Sequence, residues 1–257
     1  MKKNIIIMVC AIVMFIGFNA CKSKNSAKEE IPSSISTLHN SQNSLDWAGT
    51  YMGVVPCADC PGIETRVTLN QDGTYTMVRR YLDKGDAFET KGTFKWNETG
   101  SNVILTDARD KTVTHFWVGE NKITQLDMEG NVITGQLANN YILARVDPLL
   151  VGRHWRLVEL NGKPVEKQDA FVFFDEKNNR VSGNFGCNNF SGTYNLRIGN
   201  RIEFSQMVTT LKMCIDMEVE DGFRNVLNTA DNYNVSETSL TLNRARMAPL
   251  ARFEAVK

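Results

Sequence analysis

The chain has 257 residues, 42% hydrophobic and 9% aromatic, with 29 basic and 29 acidic side chains that balance to zero net charge at neutral pH. That is the content of an ordinary folded protein of one or two domains. There is no basic excess and no Lys/Arg stripe interleaved with aromatics, which excludes nucleic acid as a partner, because such binding rests on neutralising many phosphates.

The chain starts with Lys2 and Lys3, runs apolar from Ile5 to Phe18, and reaches the small residue Ala20 and then Cys21. An apolar run of 14 residues falls short of the roughly 20 that span a bilayer as a helix, and a small residue before the cut suits a signal peptidase. Phe18-Asn19-Ala20-Cys21 resembles the lipobox of bacterial lipoproteins. Residues 1–20 are then a signal peptide and Cys21 the lipidation site, anchoring the chain to a membrane. An ordinary secretory cut near Ala20 would instead leave Cys21 a free thiol. Both readings place the protein outside the cytoplasm. Loss of Lys2 and Lys3 leaves 27 basic and 29 acidic residues, a net charge of −2.

Residues 21–45 are rich in Ser, Lys, Asn and Glu, too polar to offset the entropy of ordering, and are expected to form a flexible tether. Lys22 after the cysteine does not look like the Asp that retains enterobacterial lipoproteins in the inner membrane, so the outer membrane is the expected location.

Residues 46–147 form the first expected domain. Nine short runs rich in Val, Ile, Thr and aromatics are expected strands: 50–55, 64–70, 74–82, 87–96, 102–106, 112–118, 122–128, 132–136 and 141–146. Glycine-bearing turns such as Gln71-Asp72-Gly73 and Glu129-Gly130-Asn131 separate many of them, the spacing of an all-β sandwich or barrel. Arg66-Val67-Thr68-Leu69 alternates, which implies one buried face and one wet face.

Asp147-Pro148 marks the boundary, and residues 150–257 form the second domain. Strands are expected at 153–160, 170–174, 180–184, 192–196, 201–204, 239–242 and 250–256. Val219, Phe223, Val226, Leu227 and Ala230 fall at helical spacing after Asp216, a residue able to cap the first turn. The reading is mainly β: an antiparallel β-barrel or sandwich, then an α+β domain with one helix packed on an antiparallel sheet.

Beyond Cys10 in the signal and Cys21, the cysteines are Cys57, Cys60, Cys187 and Cys214. An even number in an oxidising compartment suggests bridges. Three pairings are possible, and the distribution favours Cys57–Cys60 and Cys187–Cys214. Cys57-Ala58-Asp59-Cys60 lies between Pro56 and Pro61, without the βαβ setting in which a helix N-terminus lowers a thiol pKa, so a thiol-disulfide oxidoreductase is the weakest reading. Two thiolates at this spacing can face one soft ion, Cu(I) above all, with Met52 and Met77 as possible thioether donors or simple core residues. A copper cluster of Met207, Met213, Cys214 and Met217 competes with the Cys187–Cys214 bridge. His39, His115 and His154 show no metal spacing, and no residue pattern points to catalysis, so the chain is read as non-enzymatic.

Two family resemblances add to this. Gly49-Thr50-Tyr51-Met52-Gly53-Val54-Val55-Pro56-Cys57-Ala58-Asp59-Cys60-Pro61-Gly62-Ile63, followed by Leu69-Asn70-Gln71-Asp72-Gly73-Thr74-Tyr75, resembles the N-terminal domain of NlpE copper-resistance lipoproteins. The resemblance implies a lipocalin-like barrel, lipid anchorage in the outer membrane, a role in copper tolerance and a sensor of envelope stress as partner. Gly186-Cys187-Asn188-Asn189-Phe190-Ser191-Gly192 and Thr209-Thr210-Leu211-Lys212-Met213-Cys214 resemble the META domain of HslJ, which implies its fold and an envelope-stress context. The resulting expectation is an envelope lipoprotein whose CxxC loop senses metal or redox state. The alternative is a lipocalin-like module that holds an apolar small molecule.

Overall fold

The computed structural model describes residues 39–166, 169–215 and 217–256. In the first domain a helical turn, α1 (Ser41–Ser44), precedes eight strands. These are β1 (Gly49–Val55), β2 (Ile63–Leu69), β3 (Thr74–Tyr81), β4 (Ala87–Trp96), β5 (Asn102–Asp107), β6 (Val113–Gly119), β7 (Lys122–Gln125) and β8 (Ile142–Arg145). Each pairs antiparallel with the next, and β8 pairs with β1, closing a barrel. The turns follow from their residues. In the β2–β3 turn the Asp72 carboxylate accepts bonds from Thr74 N at 2.9 Å and Thr74 Oγ1 at 2.7 Å, while Gly73 takes φ +81°, a conformation costly for a side chain.

Alternation puts Tyr51, Val67, Leu69, Tyr75, Phe94 and Phe116 inside the barrel, all buried. Side chains fill the interior, as small barrels allow. Trp47 covers one end, edge-on to Phe94 at 5.7 Å and Trp96 at 5.5 Å, and Tyr51 Oη donates to its carbonyl at 2.6 Å.

Two expectations need correction here. Residues 132–136 are not a strand: Val132 makes one isolated bridge to Leu126, and β7 pairs directly with β8, so the closed barrel offers no edge for a ninth strand. Residues 39–45, expected to belong to the tether, are also folded onto the barrel. Asn40 and Asn43 cap α1 reciprocally, Ser41 Oγ donates to Val118 O at 2.6 Å and Gln42 N to Gly100 O at 3.0 Å, so the chain is docked on the barrel before Leu45.

The second domain contains β9 (His154–Leu160), β10 (Lys163–Pro164), β11 (Phe171–Phe174), β12 (Arg180–Asn184), β13 (Asn189–Arg197), β14 (Arg201–Phe204) and β15 (Val208–Thr209). The helix α2 (Glu218–Thr229), β16 (Asn232–Val235), β17 (Ser239–Asn243) and β18 (Ala251–Ala255) complete it. The expected sheet is antiparallel and also closes on itself: the order β9-β11-β12-β13-β14-β16-β17-β18 returns to β9. On α2, Phe223, Val226 and Leu227 are buried. The Phe223 ring lies 5.3 Å from Phe185, 5.8 Å from Phe190 and 5.4 Å from Phe253, worth more than area burial alone. Met217 occupies the N-cap without a side-chain bond, and Glu218, Glu220 and Asp221 place negative charge on the first turn, which the helix dipole favours. Asp216, the expected cap, lies outside the described residues.

The face of the first barrel expected to be wet is partly covered. Met52, Ala144 and Val146 join the core of the second barrel together with Leu150, and Trp155 Nε1 donates to Leu150 O at 2.9 Å. Arg66, 7% exposed, donates to the carbonyls of Glu176 and Asn178, each at 3.1 Å. A buried guanidinium needs such acceptors, so this contact pins one barrel to the other.

Candidate functional site

The CxxC segment is the loop from Pro56 to Gly62 joining β1 to β2. Chain direction places it at the barrel end opposite the one where residues 39–48 enter. Cys57 and Cys60 are joined as a disulfide, with Cα atoms 5.3 Å apart. Two neighbours fix the loop's return. A Cβ at Gly62 would meet Val54 Cγ1 at 2.5 Å, so only glycine fits, and Gly62 O accepts from Leu82 N of the β3–β4 turn at 3.1 Å. That turn also supplies Lys84, whose Nζ lies 3.1 Å from Asp59 Oδ2 and 5.4 Å from the Tyr81 ring centroid.

The sulfurs of Cys57 and Cys60 and a carboxylate oxygen of Asp59 all lie within 4.8 Å of one another. As two thiolates they fit a soft ion such as Cu(I), with Asp59 a harder third donor. As a disulfide they offer no thiolate, so metal binding requires reduction of the bridge first. The loop passes from strand to strand, and no helix among the described residues begins at Cys57, unlike the helix-start setting of thioredoxin-like cysteines. The same barrel end exposes Leu82, Phe88, Met128, Val132 and Leu137, an apolar rim on one side of the molecule.

The second cysteine pair sits differently. Cys187, in the β12–β13 turn, is bridged to Cys214, which precedes α2, with Cα atoms 6.5 Å apart. Beside it the Glu220 carboxylate is 1% exposed. It accepts from Asn188 N at 3.0 Å and from Asn188 Nδ2 at 3.1 Å, and pairs with Arg224 at 2.7 Å. Asn188 Oδ1 in turn accepts from Lys212 N at 2.7 Å and Thr210 Oγ1 at 2.8 Å. Together these bonds form a buried polar network that fixes the segment before α2 and leaves Arg224 Nε without a partner.

The remaining candidates disperse. Met52 and Met77 lie in the two cores. Met207 packs on the second core and Met213 points fully into solvent, so the four-residue copper cluster does not assemble. His39 lies by Ser44 Oγ at 3.2 Å, His115 by Gly130 and His154 between the Phe171 and Phe173 rings at 4.9 and 5.0 Å. Cys21 lies outside the described residues. Sequence reasoning missed Asp59–Lys84 and Asn188–Glu220 as pairs. Burial raises two tyrosine hydroxyls to about 12: Tyr51 inside the first barrel, and Tyr194 in the second, where nearby Arg66 partly offsets the rise.

Two domain families match the chain, the NlpE N-terminal domain over residues 51–136 and the META domain over residues 148–257. Lipoprotein NlpE of Escherichia coli (strain K12) is 31% identical over 146 residues, which are 56% of this chain and 57% of that protein. The 17 kDa lipoprotein of Treponema pallidum (strain Nichols) is 44% identical over 55 residues, 20% of this chain and 35% of that protein. This chain thus spans little more than half of the first relative and about a third of the second. Among solved structures, a candidate lipoprotein from Shewanella oneidensis shares 45% identity at a TM-score of 0.38, over 41% of this chain and 94% of its own. The Cpx pathway activator NlpE from Escherichia coli shares 21% identity at a TM-score of 0.30, over 63% of this chain and 94% of its own. The two matched spans fall on the two barrels, and the chain is an NlpE N-terminal domain followed by a META domain.

Proposed function

We propose that this protein is an envelope lipoprotein, anchored through Cys21 in the outer membrane, whose Cys57–Cys60 loop reports copper or redox state to an envelope stress sensor and thereby supports copper tolerance. The observation that carries the reading is the placement of the CxxC loop. It stands at the barrel end opposite the entry of the tether, with Asp59 beside the two sulfurs and exposed apolar residues around it. Such a rim is the kind of surface a protein partner covers. Its relative in Escherichia coli, described as a Cpx pathway activator, supports a signalling partner of this class.

A dithiol reductant delivers two electrons and two protons to the Cys57–Cys60 bridge, giving two thiols and an oxidised dithiol. Cu(I) then displaces both thiol protons to form a bis-thiolate complex. Either state frees the loop from its short covalent ring and changes the surface a partner meets. The reading is tested in a strain carrying Cys57→Ser/Cys60→Ser at normal protein level. Loss of copper tolerance is the expected result, and unchanged tolerance would overturn the proposal. The filled interior of the first barrel favours this reading over storage of an apolar ligand.

A further inference from the structure

The two barrels meet over a cleft of about 380 Å³, lined by Gly49, Thr50, Arg66 and Arg145 of the first and by Glu176 and Lys177 of the second. That is the size and the place of a small-molecule site, since ligand pockets run from roughly 300 to 1,000 Å³ and favour domain interfaces. Its charges are uneven: three cations line it against the single carboxylate of Glu176.

Arg66 is the buried member of the set. Its partners are neutral groups: the carbonyls of Glu176 and Asn178 and the nearby Tyr194 hydroxyl. Its Nε is buried with no partner at all. Glu64, two residues earlier on the same face of β2, is taken by Arg80, so no carboxylate among the described residues pairs with Arg66. Arg145 is only partly used. Its Nη atoms serve Asp46 and the Ala48 carbonyl, while no group among the described residues takes its Nε. Gly49 keeps room beside that atom, for a Cβ there would come within 3.3 Å of it. Lys177 is exposed and unpaired among the described residues, and Glu176 turns its carboxylate toward Gly152. Setting Asp46 against Arg145 and Glu176 against Lys177 still leaves the Arg66 charge uncompensated. A buried charge in that position is costly without a counter-ion.

We infer that the seam between the two barrels is a binding site for a small oxyanion, a carboxylate or a phosphate, which takes Arg145 Nε and Lys177 Nζ as donors and supplies the counter-charge that Arg66 lacks. The inference does not depend on the CxxC loop. It is tested by calorimetric titration of the chain from Lys22 onward, which lacks the acylated residue and retains whole the compact unit His39–Lys257. Inorganic phosphate and succinate are the probes, each in chloride of matched ionic strength. One probe at least is expected to bind at one per chain, and the one that binds more tightly tells phosphate from carboxylate. Bound anion should also raise the unfolding midpoint, because it binds the folded chain alone. Lys177→Glu and Glu176→Gln each change an exposed side chain that has no partner among the described residues, so both should keep the anion-free midpoint of the parent. The first should weaken binding about threefold or more, and the second should tighten it. Binding of neither probe would overturn the inference. Equal affinity of the parent and both variants would do the same, since it would show an adventitious ion only.

Discussion

The two disulfides close very different pieces of chain. Cys57–Cys60 spans a separation of 3 residues in a surface loop between paired strands, and the acid beside it, Asp59, stands in solvent. Cys187–Cys214 spans 27 residues and abuts Glu220, whose buried carboxylate is satisfied by Asn188 and Arg224. The same bond is therefore a local clasp in one barrel and a long-range tie in the other. Linkage adds a consequence: a bridge that stabilises the fold more is, by the same amount, harder to reduce within it.

The largest effect should come from the long tie. Cys187→Ser/Cys214→Ser should lower unfolding stability by about 3.5 kcal/mol, the chain-entropy value for a loop of this size, read from denaturant midpoints. It also frees the segment before α2. Cys57→Ser/Cys60→Ser should cost less than about 2 kcal/mol by the same account, and a larger loss than that of the long tie would break the comparison. The smallest effect should not distinguish the barrels at all. Burial raises Tyr51 and Tyr194 to about 12, while the unfolded chain releases these protons near 10. The folded state thus holds protons the unfolded state has lost, so this stability is whole below pH 10 and declines as pH rises toward 12. At pH 11 the loss should be about 1 kcal/mol per tyrosine, seen as one shared transition in alkaline unfolding curves, because Arg66 and Met52 join the two barrels.

Much of the fold is legible where the residues alternate. Thr74–Tyr81 and Ala87–Trp96 emerge at their observed places because turn residues bound them and one face is apolar. Val132–Gln136 reads as a strand by composition, yet the barrel closes without it, and closure is a property of the whole sheet. Asn232–Val235 escapes notice because Tyr233 is its one fully buried residue amid polar neighbours. The docking of the barrels was illegible for a related reason. In Arg66-Val67-Thr68-Leu69 the period assigns Arg66 to the outer face correctly, but no local pattern says that carbonyls of Glu176 and Asn178, over a hundred residues later, cover that face. At the candidate site, the CxxC motif identifies the cysteines, whereas Lys84 reaches Asp59 only through the β2–β3–β4 pairing.

Of the two bridges, Cys57–Cys60 is expected to be the reactive pair and Cys187–Cys214 the structural one. The most direct test is stepwise reduction of the folded chain by a dithiol, with alkylation and peptide mass mapping at each step and Cu(I) added under the mildest reducing condition. Cys57 and Cys60 are expected to become alkylatable first, and one copper then to bind per chain, with Cys187–Cys214 still bridged. Reduction of Cys187–Cys214 first, or no copper bound once Cys57 and Cys60 are free thiols, would contradict it.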